Sequence, residues 1–300
     1  MNMCAIRLHG PGGYEELAVE QIAVPDLRPG EALVRVHAAA ITRDELEWAV
    51  DRLPAIPSYE LSGIVSAVAP DVGGIAVGDA VYALTGFDRD GAAAEYAVVA
   101  ADLVAPKPRT LTHVEAAAMP LAALTAWQGL FDHGRLVEGE RVLIHGAAGG
   151  VGHLATQLAR WRGAYVIGTT SSAGVADTSA LGADEILDRS QVRFEEAVAP
   201  VDLVLDTVGG DVLARSATVL GEHGRLVSVA EEPPPGAVDA TYFVVEPNRD
   251  QLVELARLVD EGTLRPAVDS VFPLAEARAA FERVTTSGKR GKVVLRVVDE

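Results

Sequence analysis

The chain has 300 residues, and 49% of them are hydrophobic, which is enough for one large domain or two ordinary domains with substantial cores. It carries 25 basic and 43 acidic residues, a formal net charge of −18, and no run of lysine and arginine. That charge argues against nucleic acid or an anionic membrane surface as a partner. On so acidic a chain, an anionic cofactor would need positively charged groups of the protein close to its binding site.

The N-terminus and the cysteine content exclude further classes. The first seven residues lack the apolar core of a signal peptide, and no apolar run is long enough to span a bilayer, so a cytosolic location is expected. Cys4 is the only cysteine, which excludes an internal disulfide and a zinc site built from several cysteines.

Residues 4–107 show short runs of strand character, separated by turns rich in glycine, proline or aspartate, and predict a compact β-rich domain. The predicted strands are Ala5–His9, Leu17–Ala23, Ala32–Ala39, Ile64–Ala69, Val81–Leu84 and Ala94–Val99. Thr42 and Glu45 have the spacing of a helix cap and its partner. One short helix is therefore predicted over Arg43–Val50.

After Pro108 the pattern changes to a long helical stretch from Thr112 to about Phe131, interrupted at Pro120. Strands then alternate with helices, which predicts a parallel, doubly wound α/β sheet. The predicted strands are Arg141–Gly146, Tyr165–Thr169, Glu185–Leu187, Asp202–Asp206 and Leu226–Val229, and the helices span 151–162, 173–181, 193–198 and 211–220.

The last sixty residues fall outside this regular series. Their predicted elements are a strand at Ala240–Val245, a helix at Asn248–Glu261, a strand near Ala267–Phe272, a helix at Leu274–Val284 and a final strand at Val293–Val298. The tail is expected to return to the first domain. The predicted boundaries are 1–119 and 264–300 for the β-rich domain, and 120–263 for the inserted domain.

The Gly-rich turn from Gly146 to Gly152 joins an apolar strand to an apolar pattern of helical period. Its spacing is G-x-x-G-x-x-G, and the surrounding strand and helix supply the context of a dinucleotide-binding turn. Free N–H groups and the helix dipole would stabilise a pyrophosphate. Gly149 and Gly152 are expected to tolerate a side chain least. The predicted contacts in this turn are Ala148, Gly149, Gly150 and Val151.

Further motifs lie along nearly the whole chain. They are Gly63-Ile64-Val65, Val77-Gly78-Asp79-Ala80-Val81-Tyr82, Gly91-Ala92-Ala93-Ala94-Glu95-Tyr96, Leu124-Thr125-Ala126-Trp127, Leu181-Gly182-Ala183-Asp184, Asp206-Thr207-Val208-Gly209-Gly210 and Gly291-Lys292-Val293-Val294-Leu295. With the Gly-rich turn, they resemble the zinc-independent quinone oxidoreductases (zeta-crystallin-like) of the medium-chain dehydrogenase/reductase superfamily. The resemblance implies a GroES-like catalytic domain made of both chain ends, an inserted Rossmann domain and NAD(P)H-dependent reduction in the cleft.

The resemblance also implies that no zinc is bound. Zinc-dependent relatives carry a Cys near Thr42, a His-Glu pair near Tyr59 and Glu60, and a four-Cys lobe that is missing here. Without a Lewis acid, hydride addition to a conjugated acceptor is favoured, because it needs only a donor that stabilises the enolate. Glu60 is either a paired structural carboxylate or a catalytic one.

The candidate catalytic residues are Thr42, Asp44, Tyr59 and Thr125. Thr42 is a helix cap or a group at the substrate, since many zinc-free relatives have an Asn close to this position. Tyr59 is a donor to a carbonyl oxygen or an amphipathic residue that lines a pocket. Thr125 reaches the nicotinamide side by analogy with the family.

The cofactor preference is inferred from the end of the second strand of the doubly wound sheet. No acid follows Thr169 until Asp177, so the residue that would hold a ribose 2′-OH is absent. Ser171, Ser172 and Arg189 suit a 2′-phosphate, which favours NADP(H) over NAD(H), although the serines also read as a helix cap. The family often has a Lys where Gly174 stands, so the preference is expected to be mild. Further cofactor contacts are predicted at Thr169, Val208, Val229 and Phe243.

The leading hypothesis is an NADPH-dependent reductase of quinones or α,β-unsaturated carbonyls. One alternative is an enoyl reductase on a carrier- or CoA-linked acyl chain, for which Arg43, Arg52 and Arg89 would have to form a basic rim. Another is a redox-sensing protein that binds NADPH without turnover. A homodimer is expected through the edge strand Thr241–Val245, with Phe243 in the contact and the 267–272 strand beside it.

Overall fold

The structure is a computed structural model that describes residues 1–48, 51–236, 239–286 and 288–298. The chain divides into two compact units. The first contains Met1–Leu121, Pro247–Gly262 and Pro266–Glu300, and the second contains Ala122–Glu246 and Thr263–Arg265. Within the described part of the chain, no helix combines the length and the apolar character needed to cross a membrane.

The first unit consists mainly of strands, numbered here along the chain. They are β1 (Asn2–Leu8), β2 (Leu17–Ala23), β3 (Glu31–Ile41), β4 (Glu60–Val68), β5 (Ala80–Leu84), β6 (Tyr96–Ala100), β7 (Ala105–Pro106), β14 (Val268–Pro273) and β15 (Lys292–Arg296). The helices are α1 (His113–Ala117), α7 (Arg249–Asp260) and α8 (Ala277–Thr285), with 3-10 turns at Gly13–Glu16, Glu45–Glu47, Ala101–Leu103 and Leu274–Glu276.

Strand β3 is the centre of this unit. It pairs antiparallel with β4, β6 and β15, and β14 adds to β15 in parallel. The C-terminal tail therefore completes a sheet that the N-terminal segment begins. Alternate β3 side chains such as Val34 and Val36 are buried in an apolar cluster, which is the period-2 burial of a strand packed on a core.

The second unit carries the doubly wound parallel sheet that the sequence predicts. Its strands are β8 (Arg141–His145), β9 (Tyr165–Thr170), β10 (Glu185–Asp188), β11 (Val201–Asp206), β12 (Leu220–Ser228) and β13 (Ala240–Tyr242). The helices are α3 (Gly152–Trp161), α4 (Val175–Ala180), α5 (Phe194–Ala197) and α6 (Gly210–Ser216), with 3-10 turns at Ser172–Gly174 and Ala217–Val219. The strand order is β10-β9-β8-β11-β12-β13, so the chain reverses direction across the sheet between β8 and β11.

The helical stretch before β8 follows the predicted pattern. Thr112 forms a capping box with Glu115, α1 ends at Ala117, and α2 (Pro120–Trp127) restarts at a proline, which is tolerated in a first helical turn. A π-helix at Gln128–His133 continues it.

Two predicted elements are wrong as stated. The helix over Arg43–Val50 is reduced to the 3-10 turn Glu45–Glu47, while Ala49 and Val50 lie outside the described residues. The strand at Ala240–Val245 ends at Tyr242. The chain leaves the sheet there because Glu246 exchanges two backbone hydrogen bonds with the Gln128 side chain, at 2.8 and 3.0 Å.

Two elements of the tail lie elsewhere than expected. The 267–272 strand corresponds to β14, which pairs with β15 in the sheet of the first unit and so does not extend the sheet that β13 borders. Helix α7, which the predicted boundaries place in the inserted domain, belongs to the first unit. Tyr82 of β5 donates its phenolic O–H to the Leu252 carbonyl at 2.5 Å and so ties this helix to the β-rich sheet.

Candidate functional site

The Gly-rich turn is built around Gly146, which has a φ of 75°. A Cβ on Gly152 would lie 2.1 Å from the Gly146 carbonyl oxygen, so the first residue of α3 must remain without a side chain. A Cβ on Gly149 would have one close neighbour within the protein, that same oxygen at 3.1 Å. The protein's own packing therefore restricts Gly146 and Gly152 strongly and Gly149 less, and a ligand bound at the turn would add to the restriction at Gly149.

The same turn presents unused hydrogen-bond donors. Gly149 donates its N–H to the Gly146 carbonyl at 2.8 Å. Among the described residues, the N–H groups of Ala148, Gly150 and Val151 have no hydrogen-bond partner. Helix α3 begins directly after them without an acidic side chain in its first turn. Free N–H groups at the positive end of a helix dipole fit the pyrophosphate of a dinucleotide.

The C-terminal ends of the central strands surround this turn. His145 of β8 lies opposite Thr169 of β9 and Asp206 of β11 in the parallel registers. Val208 follows β11, and the Val229 N–H donates to the Asp206 carbonyl at 3.0 Å. The fold therefore brings predicted residues from β9, β11 and β12 to the edge of the sheet that carries the Gly-rich turn.

Buried polar groups fix these strand ends. Asp206 accepts hydrogen bonds from the Gly209 N–H at 3.0 Å and the Ser228 hydroxyl at 3.1 Å, and burial raises its pKa. His145 contacts the hydroxyls of Thr169 and Ser216, each at 3.1 Å, and burial lowers its pKa to about 3. Both groups are structural, since their polar atoms point into the unit.

An acid lies beside the end of β9, and spacing along the sequence does not reveal it. Asp188 ends β10 and lies directly opposite Thr170 of β9. Its carboxylate accepts the N–H and the hydroxyl of Ser190, at 2.9 and 2.7 Å. Hydrogen bonding from Ser172 and Ser190 lowers the pKa of Asp188, so the group is an anion at neutral pH. Arg189 is exposed beside it.

Gly174 occupies the place where the family often has a lysine. A Cβ at this position would lie 2.2 Å from the Thr170 hydroxyl and 3.0 Å from the Ala148 Cβ. A longer side chain therefore requires the 3-10 turn to move.

Phe243 does not lie in the edge strand. Its side chain is 8% exposed, and its ring stacks on His133 with the centroids 4.3 Å apart. The predicted cofactor or dimer contact through this ring would require it to leave that position. Thr125 is also buried, in α2 of the second unit.

In the first unit, Thr42 belongs to a buried polar cluster. Lys292 donates to the Thr42 hydroxyl at 2.9 Å and forms an ion pair with Glu60 at 2.5 Å. The Thr42 backbone N–H donates to Glu45 at 2.9 Å, which is half of the predicted capping box. The Thr42 hydroxyl does not cap the turn, because it accepts from Lys292 instead. Glu60 is a paired carboxylate, the first of its two predicted roles.

Glu45 and Lys292 are functional candidates that sequence reasoning missed. The Glu45 side chain accepts the N–H groups of both Thr42 and Ser58, and burial raises its pKa to about 8. The one available signal for Lys292 was its place in the C-terminal motif. Its partner is 250 positions away in the chain, so no local pattern indicates the contact.

Tyr59 is placed differently from the prediction. It is 0% exposed, it accepts a hydrogen bond from Arg52 at 3.2 Å, and burial raises its pKa. Its ring packs against Trp48 and Phe87 at centroid distances of 5.8 and 5.4 Å. Tyr59 therefore supports an aromatic cluster and offers no surface to a substrate in this conformation. Asp44 is exposed before the 3-10 turn and makes no capping bond.

A metal site would need several suitable ligands. In residues 1–48, 51–236, 239–286 and 288–298, no three His, Cys, Asp or Glu side chains are grouped so that they could hold a metal ion. Thr42 and Tyr59 supply neutral hydroxyl groups, and the Lys292 ammonium lies beside Thr42. This donor set does not fit zinc, which prefers thiolate, imidazole and carboxylate ligands.

Comparisons with known proteins give similarity along most of the chain. Residues 28–109 match the alcohol dehydrogenase GroES-like domain, and residues 181–295 match the zinc-binding dehydrogenase family. A probable zinc-binding oxidoreductase, mitochondrial, of Arthroderma benhamiae is 34% identical over 91% of this chain and 90% of its own length. The 2-methylene-furan-3-one reductase of Solanum lycopersicum is 34% identical over 95% of this chain and 76% of its own length.

A solved structure is similar over the full length. The quinone oxidoreductase from Coxiella burnetii has a TM-score of 0.92 and 34% identity, and the match covers 99% of this chain and 100% of that one. At this identity, the similarity extends beyond the shared fold.

Proposed function

The chain belongs to the quinone oxidoreductase family of the medium-chain dehydrogenase/reductase superfamily, and on that premise we propose that it reduces quinones or α,β-unsaturated carbonyl compounds with NADPH. The observation that carries the proposal is the Gly146–Gly152 turn, whose free N–H groups fit a pyrophosphate. NADPH supplies the hydride when it is bound.

The chain's own residues bind and orient the cofactor. The N–H groups of Ala148, Gly150 and Val151 would hold the pyrophosphate, with Gly149 leaving room for it. The remaining proposed contacts come from the strand ends and the loops that follow them. They are Thr169, Ser171, Ser172, Arg189, Val208 and Val229.

Substrate activation is assigned to Thr42. Its hydroxyl is a donor for the carbonyl oxygen of a quinone or enone, and reduction of such acceptors needs a donor at the developing oxyanion. Zinc independence is part of the proposal, because the residues at the zinc-ligand positions are poor metal ligands and a buried ammonium would repel a cation.

The proposed preference for NADPH is mild. Arg189 is exposed and suits a 2′-phosphate, whereas the Asp188 carboxylate beside it opposes one. We also propose that the protein is cytosolic and forms a homodimer.

The carrier-linked alternative loses support. Two of the three arginines proposed for a basic rim are engaged within the unit: Arg52 donates to the Phe87 carbonyl at 2.7 Å, and Arg89 pairs with Glu31 at 3.1 Å. These two side chains are therefore not available to form a basic rim for an acidic carrier protein.

The test is NADPH oxidation with a panel of quinones, enones and enoyl thioesters, before and after exhaustive chelation. We expect turnover with quinones or enones that survives chelation. Turnover confined to enoyl thioesters would indicate the biosynthetic reductase, and tight NADPH binding without turnover would indicate a sensor. Stoichiometric zinc that is lost together with activity would refute zinc independence.

A further inference from the structure

Lys292 has no role in the proposed function so far, although it contacts the proposed substrate donor. We propose that Lys292 is a positioning residue. It orients the Thr42 hydroxyl so that its proton points at the substrate oxygen, and its positive charge makes that hydroxyl a stronger donor to the oxyanion that forms there. This inference rests on the proposed function, because Thr42 is assigned to the substrate only within it.

Lys292 is held in one place by buried partners. It is 5% exposed, and Glu60, its ion-pair partner at 2.5 Å, is 0% exposed. The second Glu60 oxygen accepts the Leu121 N–H at 2.9 Å. A buried ammonium with a fixed counter-ion has little freedom to turn away, so its bond of 2.9 Å to Thr42 is pre-organised.

The direction of that bond determines what the Thr42 hydroxyl does. An ammonium only donates, so the Thr42 oxygen is the acceptor and its own proton remains free for another partner. Among the described residues, no acceptor receives that proton. Thr42 is partly exposed whereas Lys292 is buried, so the hydroxyl is the member of this pair that a ligand can reach.

The backbone on both sides is fixed as well. Glu45 accepts the Thr42 N–H at 2.9 Å and the Ser58 N–H at 3.1 Å, which joins the end of β3 to the segment before β4. Ser58 has a φ of 72°, an uncommon conformation for a residue with a Cβ. Backbone strain of this kind persists where the surroundings determine it, and it clusters at functional sites.

The chemistry uses this arrangement at one atom. Hydride addition to the β-carbon of an enone moves the electron pair of the C=C bond towards the carbonyl oxygen, which becomes an enolate oxyanion. The Thr42 hydroxyl donates a hydrogen bond to this substrate oxyanion. Lys292 strengthens that donor, because its ammonium donates to the Thr42 hydroxyl oxygen and polarises the O–H bond. A proton from solvent then completes the α-carbon, so the acceptor gains two electrons and two hydrogens.

The variants remove either the charge or the hydroxyl. Lys292→Met leaves the buried Glu60 without its counter-ion, so Lys292→Met/Glu60→Gln is made in parallel to keep a folded protein, since Gln still accepts the Leu121 N–H. Thr42→Val removes the hydroxyl, and Lys289→Met, three positions before Lys292 in the chain, removes a nearby cation as a control. With an enone we expect kcat to fall about 10- to 100-fold in the first three, with KM little changed.

A double-mutant cycle separates positioning from general stability. Because Lys292 acts through Thr42, adding Lys292→Met/Glu60→Gln to Thr42→Val should lower kcat little further, so the free-energy losses of the two changes are not additive. Losses that multiply, or Lys292→Arg behaving like Lys292→Met, would overturn the proposal.

A binding readout works without turnover. 4-Nitrophenolate carries an oxyanion like that of an enolate, and 4-nitroanisole is its neutral match. Measured with NADP⁺ present, wild type and Lys289→Met should bind the phenolate more tightly than the anisole, and the Lys292 and Thr42 variants should lose that difference. Equal discrimination in wild type and Lys292→Met/Glu60→Gln overturns the inference. Lost discrimination in a protein that reduces no enone or quinone would overturn the proposed function but would still support oxyanion binding by Thr42 and Lys292.

Discussion

The Gly-rich turn and the Lys292 cluster are two polar arrangements of opposite construction. The turn is made by seven consecutive residues, from Gly146 to Gly152, and it offers backbone N–H groups. The cluster joins Thr42, Glu45, Glu60 and Lys292, and it offers side-chain charge. The turn therefore depends on the absence of side chains, whereas the cluster depends on their presence and protonation.

Strand register explains how the cluster forms. Ala40 of β3 lies opposite Glu60 of β4, and Ile41 lies opposite Val293 of β15. Thr42 follows Ile41 directly, so the two pairings bring Glu60 and Lys292 to the same end of β3. A one-residue slip would send these side chains to the other face of the sheet.

The largest effect is expected from a side chain in the turn. Gly149→Leu should abolish NADPH binding, at least about a hundredfold loss, because the side chain enters the space proposed for the pyrophosphate. Its Cβ would lie 3.1 Å from the Gly146 carbonyl oxygen, a tight contact, so the melting temperature should fall, but less than in Gly152→Ala. Nicotinamide fluorescence and thermal unfolding measure the two effects.

Gly152→Ala is the matched control within the same turn. Its Cβ would lie 2.1 Å from a backbone oxygen, so it should destabilise the fold as well as weaken binding. If Gly149→Leu retained its cofactor affinity, the site would have to be moved elsewhere.

The same contrast explains what the sequence could predict. Strand β2 has the predicted bounds Leu17–Ala23, and the parallel sheet was predicted from alternating local patterns. The helix over Arg43–Val50 was not predicted correctly, because the Glu45 carboxylate is used to join two distant segments. Lys292 and Asp188 were missed because their neighbours are set by strand pairing, which composition and spacing do not reveal.

The next largest effect is the pH dependence of the free energy of unfolding, which reports the charge state of Glu45 in the cluster. Burial raises the pKa of Glu45 from 4.5 to about 8, so the folded chain holds this proton more tightly than the unfolded chain. The resulting stability is fully present below about pH 4.5 and is lost as the pH rises through about 8. The free energy of unfolding should fall between these values by up to about 1.4 kcal/mol per pH unit.

Glu45→Gln should remove this slope, since the amide does not titrate. Lys292 and Glu60 are the charged groups that face Glu45, and both remain in the variant. Urea unfolding at several pH values compares the two proteins. A variant with the wild-type pH dependence would assign the slope to another group.

A smaller effect is expected at the edge of the parallel sheet. Strand β13 is its last strand, and Val244 just beyond it is 60% exposed, so the homodimer is predicted to form there. Val244→Glu should weaken the dimer about tenfold or more, because a charge would be buried in the contact. Sedimentation at micromolar concentration measures the change.

Val271→Glu on β14 tests the predicted second part of that contact, and Val19→Glu on β2 is the exposed control, since both valines are more than 40% exposed. Phe243 is unsuitable for this purpose, because its ring is already packed on His133. A wild type that is monomeric at micromolar concentration, or a dimer indifferent to Val244→Glu, would reject the interface.

The smallest effect concerns the acid that strand pairing brings to the end of β9. Asp188→Asn should shift the ratio of NADPH to NADH affinity towards NADPH about two- to fivefold, because it removes one anion from beside the proposed 2′-phosphate position. The amide oxygen can still accept the Ser190 N–H, now at 2.9 Å, so the loop should keep its conformation.

Asp177→Asn is the informative comparison, because Asp177 is the first acid after β9 in the sequence whereas Asp188 comes from the neighbouring strand. If strand pairing decides which acid faces the ribose, Asp177→Asn leaves the ratio unchanged and Arg189→Ala moves it towards NADH. Fluorescence titration with both cofactors measures all three. A shift in Asp177→Asn alone would show that distance along the chain, and not position in the sheet, identifies the residue that reads the 2′ group.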